Sequence, residues 1–225
     1  MTDKDLAKEN LTERAIELPI PEHFRLRKQP KQKRTQALLD KVMVSTRVLA
    51  QEQGYLAVNT NAIAQHAGVD VKSLYEFFPN KEAIFYRIAD QWLLSVRQLC
   101  VQFEDPYYQA LSWREFFHQF YQSLYDDSAY VEHFNSLRAL WELFPEFKEL
   151  DRLHQAFMKD FMLRQLRHFG ATARDEELTL LYLFMLAVED GIGSFFGEIT
   201  PEEFEGLWQL RFETVCFHLE KVLPD

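Results

Sequence analysis

Apolar residues recur along this chain at intervals of three or four, the spacing that places them on one face of an α-helix. Between residues 33 and 53 this spacing is followed by Leu38, Val42 and Leu49, which predicts a first helix there. A later series with the same period consists of Leu178, Leu181, Met185, Val188, Ile192 and Phe195. The sequence shows neither the strict alternation typical of β-strands nor an internal repeat. The pattern therefore predicts an all-α fold.

Short polar, glycine and proline signals divide the chain into separate helices. Gly54 is expected to end the first helix in the left-handed conformation, and Asn80 to cap a long helix from Lys81 to about Phe103. Thr200 precedes a proline and two glutamates, which predicts a capping box at the start of the last helix. The same signals predict helices over residues 112–125, 128–144, 145–170, 178–195 and 200–222.

Residues 60–78, TNAIAQHAGVDVKSLYEFF, hold two short helical segments separated by a tight turn. Thr60 is expected to cap the first segment, which Gly68 ends, and Asp70 to cap the second, which Pro79 ends. Two short helices around a glycine-containing turn are typical of a helix-turn-helix. The residues expected to form a small shared core are Ile63, Ala64, Ala67, Val69 and Leu74. The second helix is left with an outer face of Lys72, Ser73, Tyr75, Glu76 and Phe77.

The composition supports a helical protein with a large core rich in aromatic rings. Of the 225 residues only 7 are Gly and 8 are Pro, too few for a fold with a turn at about every tenth residue. Hydrophobic residues make up 47% of the chain, and 20 residues are Phe. The length allows one large domain or two small ones.

Three features of the sequence bear on the cellular compartment. Cys100 and Cys216 lie far apart within predicted helices, so we expect free thiols in a reducing compartment rather than a disulfide. The N-terminus is charged and lacks the apolar stretch of a secretory signal. The longest apolar run, residues 180–188, is far shorter than the roughly 20 residues of a membrane-spanning helix. We therefore expect a cytoplasmic protein without membrane contact.

The net charge of −10 is distributed unevenly along the chain. Residues 25–90 hold eleven Lys or Arg against six Asp or Glu, whereas residues 91–225 hold eleven against twenty-three. Six of the ten residues 25–34 are basic, which suits either a solvated linker or an arm that lies on phosphates or enters a minor groove. A basic module joined to an acidic body is typical of a DNA-binding protein.

The stretch from about Lys33 to Arg87 resembles the N-terminal domain of the TetR family of bacterial regulators. The residues that match, at the family's spacing, are Gly54, Tyr55, Thr60, Ile63, Ala64, Ala67, Gly68, Val69, Ser73, Leu74, Tyr75, Phe78, Pro79, Asn80, Lys81, Glu82 and Ile84. The resemblance implies a TetR-like fold of about nine helices, with a three-helix head and a helical body for ligand binding and dimerisation. The expected division is a mobile N-terminal arm over residues 1–29, a DNA-binding domain over 30–80 and the body over 81–225.

The resemblance also implies a homodimer that binds double-stranded DNA, with a recognition helix at about Val71–Phe77 in the major groove of a palindromic operator. The expected DNA-binding residues are Arg34, Thr35, Thr60, Lys72, Ser73, Tyr75, Glu76, Phe77 and Lys81. Lys72 and Ser73 begin the recognition helix and are the candidates for base edges, although Lys72 suits a phosphate equally well. Tyr75 and Lys81 match family positions that hold phosphate.

The remaining candidates carry more specific expectations. The hydroxyl of Thr60 is expected both to cap its helix and to reach phosphate, and Arg34 and Thr35 are weaker phosphate candidates. Glu76 is suited to accept a hydrogen bond from a cytosine amino group, or else to remain solvated or paired with a lysine. Phe77 stands where Tyr or His is commoner in the family, so an apolar contact with a thymine methyl is the contact open to it.

For the body, the resemblance implies a small-molecule effector that releases the protein from DNA. Ordinary core packing is the favoured explanation for any single aromatic residue, but as a group some of the rings are expected to line a cavity that suits an apolar or aromatic effector. The residues expected to line the pocket are Phe116, Phe120, Tyr121, Phe134, Trp141, Phe157, Phe161 and Phe184. The residues expected at the dimer interface are Leu181, Met185, Val188, Ile192, Phe204, Trp208, Phe212 and Val215.

The sequence is also compatible with other functional classes. Glu115 with His118 and Asp151 with His154 are carboxylate–histidine pairs at a spacing that helical-bundle metal sites use. Further metal ligands would come from Glu142, Glu189 and Asp190. A regulator controlled by a protein partner, or acting as an activator, is also compatible. Short acid–histidine spacings arise often by chance in a chain with 35 Asp or Glu and 7 His, so we expect no metal. Because phosphate-binding glycine loops and nucleophile motifs are missing from the sequence, we expect no enzyme and no cofactor.

Overall fold

The structure, a computed structural model, describes residues 17–125, 137, 140–193 and 199–224. Within them every regular element is helical, which confirms the predicted all-α fold. A 3₁₀ turn, Glu22–Phe24, comes first. The helices that follow are α1 (Lys33–Ala57), α2 (Thr60–Ala67), α3 (Val71–Tyr75), α4 (Lys81–Gln102), α5 (Pro106–Gln109), α6 (Trp113–Tyr125), α7 (Pro145–His168), α8 (Asp175–Gly193) and α9 (Pro201–Leu219). Residues 140–143 are also helical, and the start of the helix expected over 128–144 lies outside the described residues.

Side-chain caps open several helices where the sequence predicts them. The Asp70 carboxylate accepts a hydrogen bond from the second backbone N–H of α3 at 2.7 Å, and the Asn80 carbonyl accepts one from the first turn of α4 at 2.8 Å. Thr200 and Glu203 form the predicted capping box of α9. These short-range signals satisfy backbone donors that a helix start would otherwise leave without partners.

The cap of α2 differs from the prediction by one residue. Asn59, rather than Thr60, is the N-cap, and its side-chain oxygen accepts a hydrogen bond from the N–H of Ala62 at 3.0 Å. Both residue types are good caps, so the sequence alone did not distinguish them. Because Asn59 takes this role, the hydroxyl of Thr60 is available for another contact.

Glycines with positive φ shape the two turns before α3. Gly54 (φ 76°, ψ 155°) breaks α1, as predicted, but one further turn runs on to Ala57. Gly68 (φ 65°, ψ 36°) ends α2 in the left-handed conformation, with backbone hydrogen bonds from Gly68 N–H to Gln65 and from Val69 N–H to Ala64. Gly68 therefore sets the sharp turn between the two short helices.

The chain divides into two compact units, each with its own apolar core. Unit 1 comprises Met1–Val96 and Glu132–Leu153, and unit 2 comprises Arg97–Val131 and His154–Asp225. The two units are defined by how the residues pack. The boundaries predicted at residues 30 and 80 instead separate the regions expected to bind DNA and to form the dimer, and they stay predictions.

The core of unit 1 joins the three helices of the head to the first part of α4. Ile63, Ala64 and Leu74 are buried in it, and Ala67 and Val69 pack against it, as the predicted shared core requires. These five side chains place α2 and α3 as one rigid pair.

Residues 18–28, which include the 3₁₀ turn Glu22–Phe24, pack along unit 1, and we call this segment the N-terminal strap. Phe24 is only 6% exposed, and its ring centroid lies 5.1 Å from that of Tyr86 and 6.1 Å from that of Phe147. Leu18 and Leu26 also pack against the core. The sequence suggested a mobile arm in this region and contained no indication of this packing.

The core of unit 2 is dominated by aromatic rings from α6 and its neighbours. Phe116 and Phe120 lie edge-on to Phe103, at 5.5 and 5.2 Å between ring centroids. Cys100 is buried here and Cys216 is half-buried, and both are free thiols, as predicted. Among the described helices, none combines the length and the apolar character that a membrane span requires.

Candidate nucleic-acid interface

The outer face of α2 and α3 carries most of the residues expected to meet DNA. Lys72 is exposed and Ser73 half-buried in the first turn of α3, directly after the Asp70 cap. The helix ends at Tyr75, earlier than the expected Phe78, and Phe78 is fully buried. The exposed face of α3 is therefore only about one turn long.

Thr60 and Tyr75 meet across this face. The hydroxyl oxygens of the two residues lie 2.7 Å apart, which joins the first residue of α2 to the last residue of α3. Tyr75 is 39% exposed and Thr60 half-buried, so both hydroxyls lie at the surface. Two hydroxyls held together in this way present a fixed donor and acceptor pair, which suits a phosphate oxygen.

Lys81 was expected to contact phosphate, but its ammonium group is bonded within the chain. Its ammonium group donates to the carbonyl oxygens of Tyr55 and Val58, at 3.3 and 2.9 Å, and lies 4.3 Å from the Tyr55 ring centroid. The Tyr55 hydroxyl donates to Glu82 at 2.8 Å, and burial together with this carboxylate raises the pKa of Tyr55. Lys81 thus joins the end of α1 to the start of α4.

The last two expected contacts of the recognition segment are partly engaged within the chain. Glu76 is exposed, and its carboxylate lies 3.2 Å from the ammonium group of Lys28, which matches the lysine-paired alternative. Phe77 is half-buried and packs against the core of unit 1. Only part of the Phe77 ring is left at the surface for a thymine methyl.

Arg27 holds the end of α3, and the sequence did not point to it. Its guanidinium group donates to the carbonyl oxygen of Tyr75 at 3.0 Å, and its backbone N–H donates to the carbonyl oxygen of Phe77 at 2.8 Å. In the sequence Arg27 is one of six basic residues in the run 25–34, and such a run is equally compatible with a phosphate-binding arm and with contacts inside the protein.

Acidic residues are missing from the first turns of α1, α2, α3 and the four-residue α5, whereas they are present in those of α4, α6, α7, α8 and α9. Carboxylates near an N-terminus stabilise a helix through its dipole, so omitting them has a cost. In α1 the first turn carries Arg34, which is exposed, and Thr35, which is half-buried. Helix N-termini without carboxylates attract anions such as phosphate, which excludes α3 and α5, where the Asp70 and Asp105 caps place a carboxylate.

The residues expected to line an effector pocket are only partly brought together. Phe116, Phe120, Tyr121 and Phe161 are buried in the core of unit 2, and Phe157 packs against that core. Trp141 belongs instead to unit 1, where its ring centroid lies 6.5 Å from that of Trp92. Phe184 is 40% exposed, and Phe134 lies outside the described residues.

The residues expected at a dimer interface differ in how much surface they leave exposed. Met185 and Val215 are buried in the core of unit 2 and offer a partner almost no surface. Trp208 and Phe212 lie against the ring of His118, at 5.7 and 5.2 Å between centroids. The other four are half-buried, and these are Leu181, Val188, Ile192 and Phe204.

A different set of apolar side chains is exposed on the same two helices. They are Leu180, Leu183 and Phe184 on α8 and Leu210 and Phe217 on α9. Their spacing places them on one face of each helix, opposite the face that covers the core of unit 2.

The carboxylate–histidine pairs do not assemble a metal site in the part of the chain that the structure describes. Within it, no group of three or more His, Cys, Asp or Glu side chains is placed to hold a metal ion. His118 contacts aromatic rings, and the Nδ1 atom of His154 lies 3.3 Å from the guanidinium group of Arg97. A guanidinium neighbour opposes the binding of a cation.

Comparison with known proteins agrees with this geometry. The profile of the family described as "Bacterial regulatory proteins, tetR family" matches residues 42–88, which include α2, α3 and the start of α4. No curated protein sequence gives a significant match. Solved structures with a similar fold are numerous.

A transcriptional regulator from Rhodococcus sp. Rha1 superimposes with a TM-score of 0.64 at 15% identity, over 80% of this chain and 96% of that one. A TetR transcription regulator from Haloarcula marismortui gives 0.62 at 11% identity, over 84% and 100%. A TetR-family transcriptional regulator from Streptomyces coelicolor gives 0.54 at 18% identity, over 84% and 99%. Residues 42–88 are thus similar to the N-terminal part of the TetR family of bacterial regulatory proteins, and the described helices have the fold of these solved structures.

Proposed function

We propose that this chain is a DNA-binding transcriptional regulator that binds a palindromic operator as a dimer and is released by a small apolar or aromatic effector. The observation that carries the proposal is the outer face of α2 and α3, where Lys72 and the bonded hydroxyls of Thr60 and Tyr75 lie together. A rigid pair of helices that exposes a cation and two hydroxyls suits DNA.

Each part of this face has a separate task. Lys72 and Ser73 lead into the major groove and contact base edges, which gives sequence preference. The hydroxyl pair of Thr60 and Tyr75 and the basic N-terminus of α1, with Arg34, contact phosphates, which sets register and supplies affinity.

The dimer forms through the exposed apolar face of α8 and α9. Leu180, Leu183 and Leu210 are 66, 49 and 61% exposed, and monomeric proteins seldom leave such side chains grouped on adjacent helices. In a two-fold symmetric dimer the same surface of each subunit contacts the other, and an apolar face can pack against a second copy of itself. The operator then carries two half-sites in inverted orientation.

The effector site is proposed for the aromatic cluster of unit 2. Phe116, Phe120 and Phe161 contact other rings at 5 to 6 Å between centroids, so a ligand must replace these contacts with rings or alkyl groups of its own. Release from DNA requires that the effector bind more tightly to a conformation in which the dimer fits its operator poorly.

The proposal is tested by selection of duplexes from a random-sequence DNA library with the full-length protein. We expect enrichment of a palindrome, bound by two chains, with an affinity that falls steeply as the salt concentration rises. Arg34→Ala reduces the salt slope by about 0.9 for each phosphate that is no longer neutralised, and Lys148→Ala, an exposed lysine on α7, leaves the slope unchanged. Failure to enrich any sequence with the folded protein contradicts the proposal.

A further inference from the structure

We propose that the N-terminal strap positions the recognition helix α3 for DNA reading, with Arg27 as a positioning residue rather than a phosphate contact. The inference rests on the proposed function, because it assigns a role in the same DNA-binding face. It concerns a segment that precedes residues 42–88, the part of the chain that the family profile matches.

The helix α3 needs partners at its C-terminal end. It has only five residues, too few to be stable alone, and the last carbonyl groups of any helix find no donor within it. Arg27 supplies two hydrogen bonds there, from its guanidinium group to Tyr75 and from its backbone N–H to Phe77. Two bonds to carbonyls two residues apart restrict the rotation of this end of the helix.

The other end of the strap is anchored in the core of unit 1. The ring of Phe24 packs there between Tyr86 and Phe147. The His23 ring lies 3.0 Å from the carboxylate of Glu146 on α7. Because the strap is fixed at both ends, it ties the end of α3 to the part of unit 1 that α4 and α7 build.

The strap also changes the charge of the DNA-binding face. Lys28, on the strap, neutralises Glu76, which otherwise places a negative charge at the end of the recognition helix. A carboxylate near phosphate repels the DNA, so the pairing of Glu76 with Lys28 preserves affinity. The strap therefore contributes both to the direction of the helix and to the charge of the face.

The first experiment uses the selected duplex and a scrambled duplex of the same composition as probes, with wild type, Arg27→Ala and Lys31→Ala. Lys31 is an exposed cation of the same basic run and serves as the matched control. A positioning role predicts that Arg27→Ala weakens binding to the selected duplex about tenfold, with an unchanged salt slope and a smaller preference over the scrambled duplex. Lys31→Ala leaves the preference unchanged.

A phosphate-binding role for Arg27 gives the opposite result. Arg27→Ala then weakens binding to both duplexes equally and reduces the salt slope by about 0.9 for each phosphate that is no longer neutralised. That outcome overturns the inference, as does an unchanged affinity for the selected duplex.

The second experiment separates the two roles open to Lys28. If Lys28 serves to neutralise Glu76, Lys28→Ala weakens DNA binding and the addition of Glu76→Gln restores it. If binding to the selected duplex remains weakened to the same extent in the double variant, Lys28 contacts DNA directly, and this part of the inference is overturned.

A measurement without DNA distinguishes failure of this inference from failure of the proposed function. Hydrogen exchange of the backbone amides of Glu76, Phe77 and Phe78 reports the opening of the end of α3. We expect about tenfold faster exchange of these amides in Arg27→Ala, and no change in Lys31→Ala. Unchanged exchange in Arg27→Ala overturns the inference even if the protein binds its operator, and faster exchange supports it even if no operator is found.

Discussion

The phenolic oxygen of Tyr75 lies 2.7 Å from the hydroxyl oxygen of Thr60, so the last residue of α3 is bonded to the first residue of α2. The contact exists because Asn59 caps α2 and leaves the Thr60 hydroxyl available. Two residues fifteen positions apart thus form one surface element, which is the phosphate contact that we propose.

Removal of this bond is expected to weaken DNA binding in a coupled way. Thr60→Val and Tyr75→Phe each lower operator affinity by about three- to tenfold, because each removes a hydroxyl and leaves its partner misplaced. The operator affinity of the double variant falls by less than the product of the two single losses, because the second substitution removes a hydrogen bond that the first has already broken. Independent, multiplicative effects in an affinity titration would mean that the two hydroxyls act separately.

Lys81 is expected to matter more for stability than for DNA contact. Lys81→Met keeps the aliphatic stem but removes two hydrogen bonds to backbone carbonyls, so the free energy of unfolding falls by about 1–3 kcal/mol. In urea denaturation the midpoint drops while the slope stays constant. Lys72→Met, on the exposed face of α3, is the control and changes stability by less than about 0.5 kcal/mol.

The turn between α2 and α3 is expected to require glycine at position 68. Its φ of 65° is unfavourable for a residue with a Cβ atom, so Gly68→Ala lowers the free energy of unfolding by about 1–2 kcal/mol. Gly68→Asn is the matched control, since asparagine tolerates the left-handed region better and loses less. Equal stability of the alanine variant and wild type would refute this assignment.

The helix caps and the glycine turn were predictable from the sequence, because each depends on neighbours within four residues. Gly68, Asp70 and Asn80 act where their types predict, through backbone geometry and short-range capping. The strap was not predictable: Arg27 and Tyr75 are forty-eight positions apart, and no local pattern records their hydrogen bond.

The dimer face shows a second limit of sequence patterns. Both sides of α8 carry apolar residues, and the spacing does not say which side the chain covers with its own core. The seam that includes Met185 was expected at the interface, yet the core of unit 2 covers Met185 and leaves Leu183 exposed. Periodicity identifies a face, and only tertiary packing assigns its partner.

The exposed face of α8 and α9 is expected to hold the dimer together. Leu183→Glu combined with Leu210→Glu places charges in an apolar contact and shifts the protein to a monomer in sedimentation equilibrium at micromolar concentration. Leu143→Glu, at another exposed leucine, leaves the mass unchanged. A dimer that survives the double change would place the interface elsewhere.

His154 is expected to make stability depend on pH. Burial, and then the charge of Arg97, lower the pKa of His154 to about 3, whereas the unfolded chain has the ordinary value near 6.5. The unfolded state therefore binds one more proton between these values, so this residue lowers stability as the pH falls from about 6.5 to about 3, by about 1.4 kcal/mol per pH unit. His154→Gln removes this dependence on pH. Denaturant unfolding of both proteins between about pH 3 and pH 6.5 gives the free energy of unfolding at each pH, and we expect it to fall more steeply with falling pH in wild type. An equal dependence on pH in the two proteins would contradict this role of His154.

The preference for the selected duplex over the scrambled duplex, measured at one salt concentration, tests the DNA-reading role of α3 most directly. The two proteins compared are wild type and the variant with Lys72→Ala and Ser73→Ala. We expect wild type to prefer the selected duplex by about a thousandfold or more. We expect the variant to lose at least about tenfold of this preference while its affinity for the scrambled duplex changes little. A wild-type preference below about tenfold, or an undiminished preference in the variant, would contradict this role.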